Sequence, residues 1–467
     1  MRIPLSGGAY TARSIIAGAQ ACINLFGEPV QEGQGRVAYY PTPGLIRLGT
    51  APQVGCRGLY RSKLGALYGV YGTGVYAIGA DWSFTLLGSI AAGASRVSMA
   101  DNGVVMAIVD GTSSGYRVTL SNNAFAPIVS AGFYGADYVE FFATYFIFNR
   151  PGLPQLYVSD SQALTFNALY FANFSGQQDA MMGIMAVHGA MTIVGTMHTE
   201  WWTTSGAPDF PFQPIPTATV DSGAVAKYSL ARADNALFWI SQNSEGQGVA
   251  IISRGYAAGR ISTHAIEAEW QSYARIDDAV GWTFQQGGHT LYVVTFPTAD
   301  RTWVFNIASQ WWHQWGSFDG STLARHRAQC GAFAFGQNVV GDYATGALYR
   351  LNPGTFTDDD TPIARQRAFP HLLEDGRRVF YTQFLVDMEC GTTTGAEPPL
   401  TLEWSDDRGA TYTGRQTAML GAAGVAITSV QFQRLGMARD RVFRLTWTAP
   451  IRTALMGAWI SKKVSGS

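Results

Sequence analysis

From about residue 57 the chain alternates short apolar runs with glycine-rich turns. Leu67-Tyr68-Gly69-Val70-Tyr71, the turn Gly72-Thr73-Gly74 and Val75-Tyr76-Ala77-Ile78 form the clearest unit. Glycine supplies the positive φ that a tight hairpin demands, so this unit predicts two paired strands. The figure returns six times. Val104 to Val109 leads into Tyr116 to Leu120, Phe141 to Phe148 into Leu156 to Val158, and Met191 to Val194 into Trp201-Trp202. Leu237 to Ile240 leads into Val249 to Ile252, Leu291 to Phe296 into Trp303 to Ile307, and Phe333 to Val340 into Ala347 to Leu351. Turn centres near 73, 113, 150, 195, 244, 299 and 341 recur at roughly 45 residues, the length of one β-propeller blade. An all-β chain with a propeller of about six or seven blades is therefore expected. Closure removes long exposed edges and places bulky aromatics between neighbouring sheets. Spacings from 37 to 55 residues leave a β-sandwich or a run of unrelated hairpins as the competing reading.

Other segments break the rhythm. Residues 1–56 read as an N-terminal arm with the first strands: Ala12 to Cys22 suits a short helix or arm, and Pro29, Pro41 and Pro43-Gly44 keep the rest extended or turned. Residues 57–354 form the expected propeller. Ser262 to Trp270 starts with a capping residue and places acids in its first turns, which predicts a helix packed on the propeller through Ile266, Trp270 and Tyr273. Residues 355–467 read as a C-terminal β domain of sandwich type. It begins with the triplet Asp358-Asp359-Asp360, expected to be a solvated linker, followed by the turn Asp375-Gly376 and the strand Arg378 to Met388. The window 180–199 contains no acid, Lys or Arg and is long enough for a membrane span. Gly183, Gly189 and Gly195 interrupt it, and its alternation fits a buried hairpin instead.

Composition narrows the function. The 467 residues include 13 Trp, 21 Tyr and 26 Phe, enough apolar surface to fold, but only 14% are charged. A surface so poor in charge suits one that faces other subunits. With 32 Lys+Arg against 33 Asp+Glu, the chain has no net attraction for phosphate, which argues against a protein that grips DNA or anionic lipid. Cys22, Cys56, Cys330 and Cys390 form no CxxC pair and read as thiols in a reducing compartment. The first eight residues lack the apolar core of a signal peptide.

No motif carries a reaction. The seven histidines show no HxH or HExxH spacing, and His198-Thr199-Glu200 is the nearest approach to a ligand pair. Gly111-Thr112-Ser113-Ser114-Gly115 has GxSxG spacing but falls in the turn of a predicted hairpin, not in the strand-to-helix turn a nucleophile motif needs, and no nucleotide-binding loop occurs. No catalytic, cofactor or metal residue is assigned, and none of the three is expected. Ser405-Asp406-Asp407-Arg408-Gly409-Ala410-Thr411-Tyr412 resembles the Asp-box of sialidase-type propellers, where the Asp binds backbone donors in a turn and the aromatic packs beneath. A turn-stabilising role is expected here. Trp303 and Trp311-Trp312-His313-Gln314-Trp315 read as packing between blades. Arg325-His326-Arg327 and Arg365-Gln366-Arg367 alternate like strand faces and are expected to meet carboxylates on neighbouring chains.

The order of features resembles the tail hub, or nozzle, family of short-tailed bacteriophages, also called packaged DNA stabilisation proteins. The stretches that carry the likeness are Asn24-Leu25-Phe26, Tyr40-Pro41-Thr42-Pro43-Gly44, Ser95-Arg96-Val97-Ser98-Met99-Ala100, Thr199-Glu200-Trp201-Trp202 and Ile261 to Glu267. Gly288 to Pro297, with Trp303-Val304-Phe305 and Trp311-Trp312, is the most specific. The resemblance implies a virion tail protein assembled in the host cytoplasm as a homo-oligomer, a hexameric ring around a channel. Its implied partners are the portal and adaptor proteins, a tail needle or plug, tailspikes or fibres, and double-stranded DNA passing without sequence-specific binding. A near-neutral chain suits such a conduit, since tight binding by Lys and Arg would retard the DNA. The alternative classes are a propeller glycosidase or lectin acting on host glycan, and a host scaffold propeller. Two carboxylates at glycosidase spacing in an axial pocket would favour the first of these.

Overall fold

The computed structural model describes residues 1–5, 7–11, 19–30, 36–93, 95–174, 179–207, 209–319, 322–374, 376–390, 397–421 and 427–464. Seven antiparallel, four-stranded blades surround an axis. Blade 1 comprises Cys56–Arg61, Leu67–Tyr71, Gly74–Ile78 and Phe84–Ser89. The innermost strands of blades 2 to 7 are Ser98–Asp101, Val139–Phe142, Met181–Val187, Ala231–Ala233, Val280–Gln286 and Ala328–Ala334. Ala328–Ala334 meets Cys56–Arg61, which closes the ring. The fourth strand of blade 7 comes from the N-terminal region: Gly44–Thr50 pairs antiparallel with Ala347–Asn352. The last blade is thus built from both ends of the propeller segment, and opening the ring would break that ladder.

Each hairpin read from the sequence joins the second and third strands of one blade. In blades 3 to 7 the first and second strands are joined by two-residue turns with both residues at positive φ: Ala143-Thr144, His188-Gly189, Asp234-Asn235, Gly287-Gly288 and Phe335-Gly336. This twist matches that of the flanking strands. The expected single strands over 141–148 and 333–340 therefore each contain a turn, at residues 143–144 and 335–336. The window 180–199 makes the buried hairpin of blade 4, Met181–Val187 and Ala190–Gly195. Among the described residues, no helix is long and apolar enough to cross a membrane. Aromatics fill the spaces between blades: Phe238 stacks on Tyr292 at 4.9 Å, and Trp282 lies between Phe284 and Gly331.

The remaining residues form a β-sandwich. One sheet runs Arg365–Ala368, Asp440–Trp447, Pro399–Ser405 and Gly414–Met419; the other holds Thr453–Val464, Val379–Cys390 and Ile427–Gln433. The N-terminal hairpin Leu25–Val30 and Arg36–Pro41 joins this second sheet through Tyr39 opposite Leu455. Cys22–Ile23 pairs with Arg365–Ala368 on one side and with Trp311–Asp319 of blade 6 on the other. One sheet thereby runs from the propeller into the sandwich, and one apolar core includes Phe238, Trp303 and Trp312 of the propeller with Phe384, Leu402 and Trp447 of the sandwich. The helix spans His264–Trp270, capped by Thr263, and Trp270 packs on Phe296 and Trp312 in that core. The helix or arm expected over 12–22 lies mostly outside the described residues, as does Asp375 of the expected Asp375-Gly376 turn.

Candidate functional site

The propeller axis is the first place to look for a ligand site, because the innermost strands converge there. A 3-10 turn, Lys227–Ser229, is held there by residues from several blades. Arg96 donates to the carbonyls of Tyr228 at 3.3 Å and Gly281 at 2.5 Å. Tyr138 donates to the carbonyl of Lys227 at 2.6 Å, Tyr292 to that of Ser229 at 2.9 Å, and Lys227 Nζ lies 2.9 Å from Asp137. Burial pushes both phenols well above their ordinary range, so they stay protonated donors. The turn fits because Gly281 has no side chain: a Cβ there would be 2.2 Å from the Ser229 carbonyl oxygen. Next to this turn the innermost strands of all seven blades line a cavity of about 270 Å³. Among the described residues its single lining carboxylate is Glu140, held by Arg232 at 3.0 Å.

The second concentration of polar groups lies where propeller and sandwich meet. Arg365 and Arg367, expected on a surface facing other chains, are both 0% exposed. Their partners are carbonyls of this same chain: Ile363, Ala449 and Phe356 for Arg365, and Leu5, Gly7, Gly8 and Ala21 for Arg367. The forked guanidinium can serve several carbonyls at once, which permits burial without a carboxylate partner. In the other pair, Arg325 lies over Tyr343 and Arg327 reaches Tyr349. The acid triplet is not a solvated linker: Asp358 is 7% exposed and pairs with Leu45 in the sheet of blade 7, while Asp359 pairs with Arg47. Burial pushes the Asp358 carboxyl up to about 7. An apolar cleft of about 660 Å³ opens between the domains, lined by Phe26, Tyr40, Leu291, Trp315 and Phe356. Glu28 and His289, 2.5 Å apart, also line it.

The other residues singled out in the sequence have structural partners. Asp407 accepts from the Thr411 backbone at 2.8 Å and from the Ser405 hydroxyl at 2.6 Å, and these bonds hold its carboxyl down to about 2. Arg408 and Gly409 in this turn have positive φ, and Tyr412 lies beneath the Arg444 guanidinium at 3.7 Å. Its neighbour Asp406 forms a forked pair with Arg441, at 2.5 and 2.7 Å. His198 lies 3.4 Å from Asp179, and Glu200 accepts from the Trp202 indole at 2.9 Å, so the two do not converge. Among the described residues no cluster suits a metal ion. Trp303, Trp312 and Trp315 are buried, and burial pushes His313 down to about 3. Sequence reading missed Arg96, Tyr138 and Lys227, whose roles depend on strands far apart in the chain. For Arg365 and Arg367, the signal present was an arginine on every second position of a strand.

A closed seven-bladed propeller joined through its N-terminal strands to a β-sandwich defines a structural class. Several solved structures are similar to the chain at low identity. The extracellular domain of BT4673 from B. thetaiotaomicron is 10% identical with a TM-score of 0.44, over 90% of this chain and 62% of that one. The N-terminal domain of Nup159 is 7% identical with a TM-score of 0.42, over 72% of this chain and 99% of that one. The WD40 propeller domain of Doa1 is 11% identical with a TM-score of 0.41, over 66% and 96%. This chain thus spans under two thirds of the BT4673 domain. No curated protein sequence matches it. Two family models do match, in chain order: Bacteriophage P22 Gp10, beta-propeller, over residues 1–356, and Bacteriophage P22 Gp10, beta-sandwich, over residues 364–462. The chain belongs to the bacteriophage P22 Gp10 family, the tail hub family of short-tailed phages, and is a structural component of the virion tail.

Proposed function

We propose that this chain is the repeating subunit of a ring, six copies around a channel, that extends the portal and adaptor, retains packaged DNA and anchors the tail needle and the tailspikes or fibres. The observation that carries the reading is the match of both domains, in order, over nearly the whole chain. The axial turn fits it. Arg96, Tyr138 and Tyr292 bind Lys227–Ser229 at the axis, and on this reading the channel lies between subunits and not through a single propeller. The low charged fraction and exposed apolar residues such as Val129 and Leu169 suit broad subunit contacts. The role is mechanical, with no bond made or broken. Assembly in the host cytoplasm and docking of the ring beneath the adaptor belong to the same reading.

The test is electron microscopy of the purified protein alone and with its portal complex. Six-fold rings, or density for this chain in virion tails, are expected. Monomers whose melting temperature rises with host glycan would overturn the proposal in favour of a carbohydrate-binding propeller.

A further inference from the structure

Two of the four cysteines meet where the propeller closes. Cys56 lies on the innermost strand of blade 1 and Cys330 on that of blade 7, and their sulfurs are 2.8 Å apart. Each strand carries a β-bulge at its cysteine, one between Cys56 and Gly58, the other between Ala328 and Cys330. A bulge re-aims a side chain. Here Cys56 Sγ occupies the notch left by Gly341, where a Cβ would come within 2.3 Å of it. Both side chains are buried, at 3% and 2% exposure. A disulfide needs a sulfur separation of about 2.05 Å, so bond formation requires a movement of less than about 1 Å.

We propose that Cys56 and Cys330 form a covalent modification site, joined by a peroxide into a disulfide that locks blade 7 to blade 1. One thiolate attacks the peroxide, the O–O bond breaks, and a sulfenic acid forms with release of one water. The second thiol displaces the sulfenic oxygen, the S–S bond forms, and a second water leaves. The two thiols lose two electrons and two protons, and hydrogen peroxide is reduced to two waters. The bond would close a loop spanning 274 positions in a ring otherwise held at blade 7 by hydrogen bonds and apolar packing, with no covalent link. Burial pushes the Cys56 thiol well above its ordinary range. The closed seam therefore reacts slowly, and the rate follows its transient opening. The inference stands whether or not the chain forms a ring in a tail.

The full chain is incubated with hydrogen peroxide at increasing temperature, denatured, alkylated and digested for mass spectrometry. The expected result is a cross-linked peptide pair containing Cys56 and Cys330 that reductant separates, with Cys22 and Cys390 recovered as singly alkylated peptides. The oxidised protein should melt higher than the reduced protein by several degrees, on the order of 5 °C. C56S and C330S should each abolish both effects. The wild-type peptide map stands even if either variant fails to fold. Separate recovery of Cys56 and Cys330 as alkylated or sulfinic forms, or a cross-link that leaves the melting temperature unchanged or lower, would overturn the proposal.

Discussion

Replacing Arg367 tests whether the N-terminal segment is a structural part of both domains. Its guanidinium, 0% exposed, donates to the carbonyls of Leu5 at 3.2 Å, Gly7 at 3.1 Å, Gly8 at 3.2 Å and Ala21 at 3.4 Å, and lies over the Tyr39 ring at 4.6 Å. Arg367→Met keeps most of the volume but removes every donor. The single Tyr39 hydroxyl proton can still serve one of the Leu5 and Gly7 carbonyls, and the Ala21 carbonyl still accepts from the Ala368 backbone, so Gly8 and one of that pair are left without a donor. Two stranded acceptors plus the lost charged bonds should cost about 4 kcal/mol. Arg367→Lys should cost more, because a buried ammonium keeps the desolvation penalty without the fork that spans four carbonyls. Urea denaturation gives the totals, and hydrogen exchange locates them. The amides of Ile3, Ala9 and Asn24, bonded to Ala458, Trp312 and Gln314, should exchange faster, while those of blades 2 and 3 should not. A Lys variant within about 0.5 kcal/mol of wild type, or uniform acceleration across all blades, would refute the reasoning.

The other predictions concern turns, protons and the domain link. Thr144, a β-branched residue at φ 76 after Ala143 at φ 47, should be relieved by Ala143→Asn with Thr144→Gly, raising stability by about 1 kcal/mol in a denaturant titration. Burial holds His313 near 3 against 6.5 in the unfolded chain, so the folded state resists a proton that the unfolded state takes up. That contribution is complete above pH 6.5 and declines as pH falls toward 3, by about 1.4 kcal/mol per unit. His313→Gln should flatten that part of the acid limb. Asp358 runs the opposite way: burial raises its carboxyl from 3.8 to about 7, so its contribution is complete below 3.8 and lost as pH rises to 7. Asp358→Asn should therefore gain on wild type between pH 4 and pH 7, read from paired melts across that range. A protease site inserted between Asp359 and Asp360 should, once cut, leave the two halves eluting as one species on size exclusion.

The parts legible in the sequence are those held together locally. The second strand of each blade is largely buried on both faces, as in Met106 to Val109, all 0% exposed, so it reads as an unbroken apolar run. The outer strands Phe84–Ser89 and Ala257–Arg260 are half exposed, and their pattern is correspondingly weak. The turn at Ala143-Thr144 has no Gly, Asn or Asp to announce it, because pairing of Val139–Phe142 with Tyr145–Asn149 imposes a backbone that its residues disfavour. Arg365 and Arg367 were misread for a related reason. A charged residue defaults to the surface unless its donors are matched; the matching carbonyls of Leu5, Gly7 and Gly8 lie some 360 positions from Arg367, and that of Ala449 lies 84 positions from Arg365. The thiol pair was invisible on the same ground.

The same distance explains how the two domains behave as one body. Residues 22–30 and 36–50 contribute in succession to a bridge between blade 6 and the sandwich, to a sandwich sheet and to blade 7. A linker would transmit load through one covalent strand and its side-chain contacts. Here a force on the sandwich reaches the propeller through the backbone pairing of Ile23 with both Gln314 and Gln366, through Asn24, whose side chain donates to Gly316 at 2.7 Å and Ala364 at 2.8 Å, and through a shared aromatic core. Backbone ladders yield only when several bonds break together, so the junction should be stiffer than an ordinary domain interface. For a tail component, that stiffness would keep the propeller and sandwich of each copy in fixed relation while neighbouring parts bind or leave.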